Sequence, residues 1–347
     1  MARYRILTTK GTTISTGLGG YEHEMEALEP LDVEITECQA SEEAFGALAP
    51  SADAVYAKGM RFTARMIGAL EKCQVIALGS VGVDTVDVAA ATAKDIPVTN
   101  CPDTFIEEVA DHAMMLLLAC HRRAIEQDRM VREGRWAEGR PQLLKIPRLM
   151  GQTLGFLAFG RVARATAERA KAFGLRIIAH DPYIDELTIS GAGAEPASLA
   201  EVLQRSDFIS MHMPATPNAT RFLTEKHFRQ MKPTAIFINT GRGPTVDEAA
   251  LIKALQEDWI AGAGLDVFEV EPMKPDNPLL RMRNVLLSPH NASASARFDP
   301  ARKRRVGQEI ANVLSGRWPM SCVNPTVLPA SSLRRWQPVS IERGPNS

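Results

Sequence analysis

Short apolar runs alternate with helical stretches along most of the chain, and this alternation predicts the fold class. In the first hundred residues, Ala54–Ala57 and Val75–Leu78 are continuous apolar runs typical of buried strands, and Phe62–Lys72 between them has a helical pattern. Val86–Ala93 is a further helical run, and the short strand Ile96–Thr99 follows it. Strands that alternate with helices favour a parallel sheet covered by helices on its faces.

A second alternating series follows Arg132–Met150, a segment rich in Gly, Arg and Pro that has no period and predicts no element. Asp247 precedes one of the helical runs as a plausible N-cap. The series predicts strands at 153–158, 176–179, 208–211, 235–238, 263–267 and 285–287, and helices at 162–173, 199–204, 225–231 and 248–258.

Two further helical patterns suggest how two domains are connected. Phe105–Arg123 is a long and mostly apolar run whose position suits a connector. Ala301–Leu314 is basic and amphipathic, and could return the chain to the first domain. A chain of 347 residues is longer than a single core usually supports, so we expect two domains of the α/β class. The tail from Ser331 has little to bury, and we predict that it is disordered.

Composition and charge exclude several function classes. The net charge of −1 gives no electrostatic footprint for nucleic acid. The longest apolar run, Ala113–Cys120, is far shorter than the roughly 20 residues of a membrane helix. Met1–Thr9 is interpreted as a first strand and not as a signal peptide. Five scattered cysteines indicate neither a disulfide framework nor a metal site, so we expect a cytoplasmic protein without a bound metal.

One turn in the second series has the position of a dinucleotide-binding loop. The strand at 153–158 runs into Ala158-Phe159-Gly160-Arg161-Val162-Ala163 and then into an alanine-rich helix. Compared with the pattern G-x-G-x-x-G, Gly160 supplies the middle glycine, which lets the backbone approach a pyrophosphate. Ala158 replaces the first glycine and predicts a turn without an unusual backbone angle. Ala163 replaces the third and adds one methyl group to the helix–strand contact.

An acid after the next strand supports this interpretation. Asp181 lies 21 residues after Gly160, close to the spacing of about 20 residues at which an acid binds the adenosine ribose. A carboxylate there also repels a 2′-phosphate, which favours NAD over NADP. The alternative is that Asp181 only opens the turn Asp181-Pro182-Tyr183.

Three later phrases, at 238–243, 265–272 and 287–292, each place a polar group after a short apolar run. They contribute Arg242 as a planar cation, Glu271 as a carboxylate and His290 as a group that titrates near neutral pH. Such a set suits a polarised carbonyl and a proton transfer. Taken singly, Arg242 could be a surface arginine, Glu271 a solvated loop charge and His290 a histidine at a strand end. His112, His180 and His212 are not accompanied by such a set of polar residues and are interpreted as structural or peripheral.

With these motifs, the chain resembles the D-isomer-specific 2-hydroxyacid dehydrogenase family over roughly residues 54–324. The resemblance is closest to the branch of C-terminal-binding-protein-like and phosphoglycerate-dehydrogenase-like members. It rests on the loop and the three late phrases, and on further ordered matches at 80–87, 96–100, 107–112 and 213–216.

The resemblance implies two Rossmann-like parallel-sheet domains, with the nucleotide domain inserted into a discontinuous substrate domain. The implied bounds are 1–103 with 299–330 for the substrate domain, 104–298 for the NAD-binding domain and 331–347 for the tail. It also implies a homodimer and an NAD-dependent transfer of hydride to C2 of a small 2-keto acid.

The resemblance also implies a role for each matching residue. Arg242 would hold the substrate carboxylate and carbonyl, His290 would exchange a proton with the carbonyl oxygen, and Glu271 would orient the imidazole. The implied cofactor-binding residues are Gly160, Arg161, Val162, Asp181, Met213, Pro214, Thr240 and Asp266, and the implied substrate-binding residues are Lys58, Gly59, Gly79, Ser80 and Gly82. Among these, Asp266 would meet the nicotinamide carboxamide, and Lys58 could either attract an acidic substrate or be solvated.

Departures from the family pattern narrow the expected chemistry and leave other functions open. Relatives that oxidise formate carry Gln at the position of Glu271, and those that oxidise phosphite carry Lys where this chain has Val81. Pro244 is unusual and could reshape the turn beside Arg242. The alternative functions are an NAD(H)-sensing binding protein of the C-terminal-binding-protein type and a relative that has lost dinucleotide binding.

Overall fold

The computed structural model describes residues 3–10 and 20–337. The strands of this part of the chain are β1 Tyr4–Thr9, β2 Val33–Cys38, β3 Ala54–Ala57, β4 Ile76–Leu78, β5 Val98–Thr99, β6 Thr153–Leu157, β7 Arg176–His180, β8 Glu195–Pro196, β9 Phe208–Met211, β10 Ile236–Asn239, β11 Gly262–Leu265 and β12 Val285–Leu287. The α-helices are α1 Glu22–Leu28, α2 Glu42–Leu48, α3 Ala64–Gly68, α4 Val88–Ala93, α5 Ile106–His121, α6 Ala124–Arg132, α7 Trp136–Leu143, α8 Arg161–Ala172, α9 Glu186–Gly191, α10 Leu199–Arg205, α11 Glu225–Phe228, α12 Glu248–Gln256 and α13 Phe298–Leu314.

The chain divides into two compact units, each built on its own parallel sheet. Unit 1 comprises Met1–Phe105 and Ala296–Ser347, and unit 2 comprises Ile106–Ser295. Unit 1 is therefore discontinuous, and unit 2 is the inserted unit. The two parallel-sheet α/β domains predicted from the sequence are confirmed. The units divide after residues 105 and 295, where the sequence predicts boundaries after 103 and 298.

The sheet of unit 1 has the strand order β2-β1-β3-β4-β5, with parallel pairing throughout. The chain reverses its direction of winding between β1 and β3, so the loops after these strands flank a crevice at the carboxyl edge. Helices α1 and α13 pack on one face, where Val306 and Ile310 meet Ile6 and Tyr56 in a buried cluster. This core fixes the position of the loop after β3, which begins at Lys58.

The sheet of unit 2 has the strand order β12-β11-β10-β9-β6-β7-β8, and its strands are also parallel. Residues from β9, β10 and β11, such as Ile209, Phe237 and Ala263, are fully buried in one cluster. The topological switch point lies between β6 and β9. Ligands of such folds bind in the crevice beyond the carboxyl ends of the strands at that point.

Most predicted elements are confirmed, and the exceptions have local causes. Strands β9 and β12 have the predicted bounds, and the side chain of Asp247 caps α12 by accepting from the backbone N–H of Ala250. The predicted absence of structure in Arg132–Met150 is wrong, because α7 contains Pro141 within its turns and the Gly/Pro content hides its pattern. Strand β2 was not predicted, since it is half-exposed and carries acids among its apolar residues.

The tail is ordered as far as the structure describes it. The indole Nε1 of Trp318 donates to the carbonyl of Leu333 at 3.1 Å, and the indole Nε1 of Trp336 donates to the carbonyl of Trp318 at 2.8 Å. The guanidinium of Arg335 lies 4.4 Å from the ring centroid of Trp318. The predicted disorder is therefore wrong for residues 331–337, and residues 338–347 lie outside the described part of the chain. Within the described residues, no helix is both long and apolar enough to span a bilayer.

Candidate active site

The candidate residues of unit 2 follow the carboxyl ends of its parallel strands, which all meet at one edge of the sheet. The nucleotide loop follows β6, and Asp181 follows β7. Met213 and Pro214 follow β9, while Thr240 and Arg242 follow β10. Asp266 and Glu271 follow β11, and His290 follows β12. The fold thus brings segments that are distant in sequence to a common edge.

Glu271 and His290 form a direct pair at this edge. The Oε2 atom of Glu271 lies 2.6 Å from Nδ1 of His290, and Oε1 accepts a hydrogen bond of 2.9 Å from the backbone N–H of Phe268. Both side chains are partly exposed, at 33% for Glu271 and 47% for His290. Because Nδ1 is held by the carboxylate, the other ring nitrogen, Nε2, is left to meet a substrate.

The pair favours the protonated imidazole. The hydrogen bond that Glu271 accepts from Nδ1 raises the pKa of His290 above its ordinary value, against the opposing effect of burial. Burial alone would raise the pKa of Glu271, but the bonds from His290 and Phe268 outweigh it and lower that pKa. Arg242 opposes the charge on His290, whereas Asp266 supports it. Both partners therefore shift in the directions expected of an ion pair.

The structure assigns different tasks to the three acids of this region. Glu269 accepts from the guanidinium of Arg221 at 2.7 Å and does not pair with His290. Asp266 is fully buried, and its carboxylate is occupied by the turn that follows β12. Glu271 alone among them contacts the imidazole. The prediction that Glu271 orients His290 has geometric support that the sequence could not supply.

Arg242 lies at the end of β10 in a turn held by internal hydrogen bonds. Its backbone carbonyl accepts from the Oγ1 atom of Thr245 at 2.6 Å, and its Nη1 atom donates to the carbonyl of Gly241 at 2.8 Å. Pro244 lies in the first turn of the 3-10 helix Gly243–Thr245, where the missing N–H of proline is not needed. Pro244 therefore fits the turn beside Arg242 without disrupting it.

Gly243 permits a close approach between the segment of Arg242 and the segment of Glu271. A Cβ atom at position 243 would lie 1.9 Å from the carbonyl oxygen of Phe268 and 2.0 Å from its carbonyl carbon. These are backbone atoms, which cannot move aside as a side-chain end can. The contact requires glycine, and it holds Arg242 near the residue whose N–H binds Glu271.

The turn that carries His290 is tied to Asp266. The Oδ1 atom of Asp266 accepts from the N–H of Asn291 at 3.0 Å, and Oδ2 accepts from the N–H of Ala292 at 2.9 Å. The N–H of His290 donates to the backbone carbonyl of Asp266 at 2.8 Å. These bonds support a positioning role, while a contact between Asp266 and a nicotinamide carboxamide stays a prediction.

The nucleotide loop has the form expected of a phosphate site. Gly160 is the N-cap of α8, and a Cβ atom built there would meet nothing within 4 Å. This open space at the N-terminus of a twelve-residue helix suits an anionic group. Asp181 closes the loop, since its Oδ2 atom accepts from the N–H of Phe159 at 2.8 Å. Its Oδ1 atom accepts from the N–H of Tyr183 at 2.8 Å, so the turn-forming alternative is also present.

The backbone at Ala158 is a correction to the sequence-based expectation. Its φ is +67°, in the left-handed region that glycine adopts freely and alanine does not. The turn therefore has the shape that the first glycine of the pattern normally provides, and the chain makes it with alanine. Ala163, in contrast, is fully buried in α8 and packs in the core of unit 2.

We expect Ala158→Gly to stabilise the protein by about 0.5–1 kcal/mol, because relief of the left-handed strain exceeds the added entropy of the unfolded chain. Urea unfolding of the two proteins measures this difference. Ala163→Gly is the matched control, since Ala163 lies in a helix, and it should lower stability by about 1 kcal/mol. Equal destabilisation by both changes would contradict the strain at Ala158.

Further predicted cofactor residues line the same edge. The Oγ1 atom of Thr240 is buried and has no hydrogen-bond partner among the described residues. Buried hydroxyls rarely stay unpaired, so this atom fits a position that meets a bound ligand. Gly241 lies against Met213, where an added Cβ would be 3.0 Å from the carbonyl oxygen of Met213. Pro214 is exposed after β9, and Arg161 and Val162 form the first turn of α8.

In unit 1, Lys58 and Gly59 follow β3 at the carboxyl edge of the sheet. The Nζ atom of Lys58 donates to Oη of Tyr21 at 2.9 Å and lies 3.5 Å from Oε1 of Glu37. Its side chain is only 13% exposed, and burial lowers its pKa. The solvated alternative for Lys58 is therefore wrong. Its contact with a substrate stays a prediction.

The remaining unit 1 candidates form the loop after β4. The hydroxyl of Ser80 donates to the carbonyl of Gly82 at 2.7 Å, which closes the loop on itself. A Cβ atom at Gly79 would lie 3.3 Å from Oη of Tyr56 and 3.6 Å from Nη1 of Arg302. Gly79 thus lies beside the buried phenol and guanidinium of its own unit. Substrate binding by this loop stays a prediction.

Comparison with known proteins identifies the family. A family model described as the NAD binding domain of D-isomer specific 2-hydroxyacid dehydrogenases matches residues 114–292. A glyoxylate reductase of Korarchaeum cryptofilum is 43% identical over 76% of this chain and 80% of the relative. The chain belongs to the D-isomer-specific 2-hydroxyacid dehydrogenase family. A D-3-phosphoglycerate dehydrogenase of Methanocaldococcus jannaschii is 38% identical over 83% of the chain, but over only 54% of that longer relative.

Solved structures of this dehydrogenase family have the same fold. An NADPH-dependent glyoxylate/hydroxypyruvate reductase from Sinorhizobium meliloti, solved with NADP and malonate, is 33% identical and has a TM-score of 0.80. The similarity covers 94% of this chain and 98% of that one. Family membership places the chain among the NAD-dependent oxidoreductases of 2-hydroxy acids, and unit 2 contains its NAD-binding domain.

Two residues to which the sequence analysis gives no role in the site lie close to the turn of His290. His112 was interpreted as structural or peripheral, yet its Nε2 atom lies 2.8 Å from Oγ of Ser288, two residues before His290. Ser288 lies in the same short segment of sequence as His290, at 287–292. The available signal was that His112 belongs to one of the family-matching phrases, at 107–112.

Proposed function

We propose that the protein interconverts a small 2-keto acid and the corresponding D-2-hydroxy acid with NAD(H) as the hydride carrier. The observation that carries the proposal is the bond of 2.6 Å between Glu271 and His290. The carboxylate raises the pKa of the imidazole, so that its proton-donating form persists to higher pH than that of an unpaired histidine. Arg242, in the same unit, supplies a guanidinium suited to a carboxylate.

Each residue has one task in the proposed reduction. Arg242 binds the substrate carboxylate and polarises the C2 carbonyl through its fork of donors. His290 gives its Nε2 proton to the carbonyl oxygen as that oxygen becomes an alcohol, and in oxidation the neutral ring takes the proton back. Glu271 stabilises the imidazolium. A nicotinamide bound at unit 2 would supply the hydride to C2 in reduction and accept it in oxidation.

The cofactor is proposed to be NAD and not NADP. Gly160 and the first turn of α8 would receive the pyrophosphate, and Thr240 offers a buried hydroxyl that has no partner among the described residues. Asp181 lies at the loop, where its negative charge would disfavour a 2′-phosphate. The Sinorhizobium relative is named NADPH-dependent, so this preference distinguishes the two proteins.

The direct test is NADH absorbance with glyoxylate, hydroxypyruvate, pyruvate and longer keto acids, repeated with NADPH. We expect turnover of at least one small keto acid, with NADH preferred. Turnover of none of them, together with tight NADH binding by calorimetry, would indicate the nucleotide-sensing alternative. Turnover of none, without NADH binding, would indicate a relative that has lost its cofactor.

The pH dependence of reduction tests the role of Glu271. Because Glu271 raises the pKa of His290, reduction should persist to higher pH than an unpaired histidine permits and fall as the imidazolium loses its proton. In Glu271→Gln the alkaline limb of the profile should move to lower pH, with a loss of roughly tenfold on its alkaline side. Glu269→Gln, which affects the pair with Arg221 and the bond from the N–H of Glu248 but not His290, should keep the wild-type profile. An unmoved limb in Glu271→Gln would refute the pairing.

The predicted homodimer is part of the proposal and is supported by an apolar surface on unit 2. Helices α6 and α7 pack together and expose large side chains. Trp136 is 78% exposed, Leu144 75%, and Ile125 and Val131 55% each. Apolar surface of this kind marks interaction sites in soluble proteins. Sedimentation analysis should give a dimer for the wild type and a monomer for a Trp136→Ser/Leu144→Ser double variant.

A further inference from the structure

A partly buried polar chain links helix α5 to the turn that carries His290. His112 lies on α5, and its Nε2 atom is 2.8 Å from Oγ of Ser288. The hydroxyl of Ser288 donates in turn to Oδ1 of Asp266 at 2.6 Å. Since the only hydrogen of that hydroxyl is given to Asp266, the Nε2 atom of His112 must be the donor to Ser288. The chain therefore runs from His112 through Ser288 to Asp266, and the Nε2 atom of His112 also lies 3.5 Å from Oδ1 of Asp266 itself.

Asp266 in turn binds the backbone of the turn that carries His290. Its two carboxylate oxygens accept from the backbone N–H groups of Asn291 and Ala292, and its carbonyl accepts from the N–H of His290. These three bonds fix the backbone at and directly after His290, whose φ angle is positive. His290 has a φ of +48°, in the left-handed region, which for a residue with a side chain persists only where its surroundings enforce it.

The position of the imidazole depends on this backbone angle. His290 reaches Glu271 with a bond of 2.6 Å, and a relaxed turn would carry the ring away from that carboxylate. Asp266 is completely buried, so the donor provided by Ser288 cannot easily be replaced by bulk water. The chain from His112 is thus a support for the geometry of the Glu271–His290 pair.

We propose that His112 and Ser288 are positioning residues for His290, acting through Asp266 to hold the left-handed turn that aims the imidazole at Glu271. The proposal rests on the proposed role of His290 as the acid/base group. His112 bonds to Ser288 and not to the imidazole or to Glu271. Its effect on the reaction would therefore come through Asp266.

The charges that face His290 determine what the proposal predicts. Glu271 and Asp266 favour the protonated ring, and Arg242 disfavours it. If the turn relaxes, the imidazole moves away from Glu271. The charge-assisted hydrogen bond between them then weakens, because such bonds depend on a short distance. The pKa of His290 should then fall, and the alkaline limb of the reduction profile should move to lower pH.

The test compares variants of one helix and of the turn. His112→Ala removes the donor, and His112→Gln restores an N–H near the Nε2 position. Ser288→Ala breaks the same chain with almost no change in volume, so it keeps the test valid if His112→Ala fails to fold. His121→Ala is the matched control, since His121 is a buried histidine at the other end of α5 and packs edge-to-face against Phe208.

We expect His112→Ala and Ser288→Ala to lose about three- to tenfold in kcat with little change in the KM for NADH, as expected from the loss of one partly buried hydrogen bond. Their alkaline limbs should move to lower pH, while His112→Gln should recover both kcat and the profile. His121→Ala should lower the melting temperature and leave the profile in place. A fall in stability alone for His112→Ala, with an unmoved profile, would overturn the proposal.

A second readout needs no turnover. Carbon-13 NMR of labelled histidine follows the titration of each of the seven histidines, and the signal absent from His290→Asn assigns His290. The His290 titration should move to lower pH in His112→Ala and return in His112→Gln. Should the wild type reduce no keto acid, this result still decides whether the chain positions His290. An unchanged titration in an active enzyme would reject the positioning role alone.

Discussion

Replacement of His290 by asparagine should lower kcat/KM for keto acid reduction by about 10²–10⁴-fold, the usual contribution of a positioned acid/base group. Asparagine can keep a hydrogen bond to Glu271 through its amide, so the turn should survive while the transferable proton is lost. Oxidation of the hydroxy acid should fall by a similar factor, because the same nitrogen accepts the proton in that direction. Steady-state rates in both directions measure the change.

The binding of cofactor provides the control for His290→Asn. The nucleotide loop at Gly160 and the acid Asp181 belong to other segments of unit 2, so the Kd for NADH should stay within about twofold of the wild type, a change below 0.5 kcal/mol. The melting temperature should also be close to the wild-type value. Turnover within a few-fold of the wild type would show that another group donates the proton.

Gly243→Ala should cost more than about 3 kcal/mol of stability and abolish most activity, because the added methyl meets backbone atoms. The clash falls on the carbonyl of Phe268 at 1.9 Å. Relief requires the 268–271 segment to move, and with it the N–H that binds Glu271. The loss of activity should therefore exceed what partial unfolding explains when rates are compared per folded molecule.

Gly191→Ala is the matched control for this substitution. Gly191 lies in unit 2 at the end of α9, and a Cβ atom there would meet nothing within 4 Å. Urea unfolding and kcat measured side by side should separate the two variants clearly. If Gly243→Ala is as stable and as active as Gly191→Ala, the close approach of the two segments does not exist in solution.

Much of the fold of unit 2 is readable from its strands. Strands β9 and β12 are short apolar runs bounded by polar residues, and a buried parallel strand leaves this pattern with little ambiguity. Helix α7 could not be predicted in the same way. It is short and largely exposed, and Gly139 and Pro141 are residues that normally indicate a loop. Strand β2, at the edge of the other sheet, mixes acids with apolar residues and lacks a continuous run.

The sequence predicts which edge of the sheet carries the site, but not which side chains contact one another there. Parallel strands bring their carboxyl ends together, so residues that follow them could be grouped from sequence. Whether Glu269 or Glu271 meets His290 depends on the path of one loop, which no local pattern records. The contact between His112 and Ser288 joins positions separated by 176 residues, and only the folded chain reveals it.

Ala158 shows a different limit of prediction. An alanine at the first position of the nucleotide loop suggests an ordinary backbone, because side chains disfavour the left-handed region. The structure has a φ of +67° there nevertheless. The turn after β6 must reach the N-terminus of α8 within three residues, and this geometric demand outweighs the preference of one residue.

Transfer of the hydride itself can be followed with NADH that carries deuterium at both C4 positions of the nicotinamide. The wild type is incubated with whichever of hydroxypyruvate, pyruvate and the longer keto acids it reduces fastest, because glycolate formed from glyoxylate has no D or L form. The product is analysed by mass spectrometry and chiral chromatography. A D-2-hydroxy acid with one deuterium at C2 is the predicted result. An unlabelled product, or a product of the L configuration, would contradict direct hydride transfer in a site built on Arg242, Glu271 and His290.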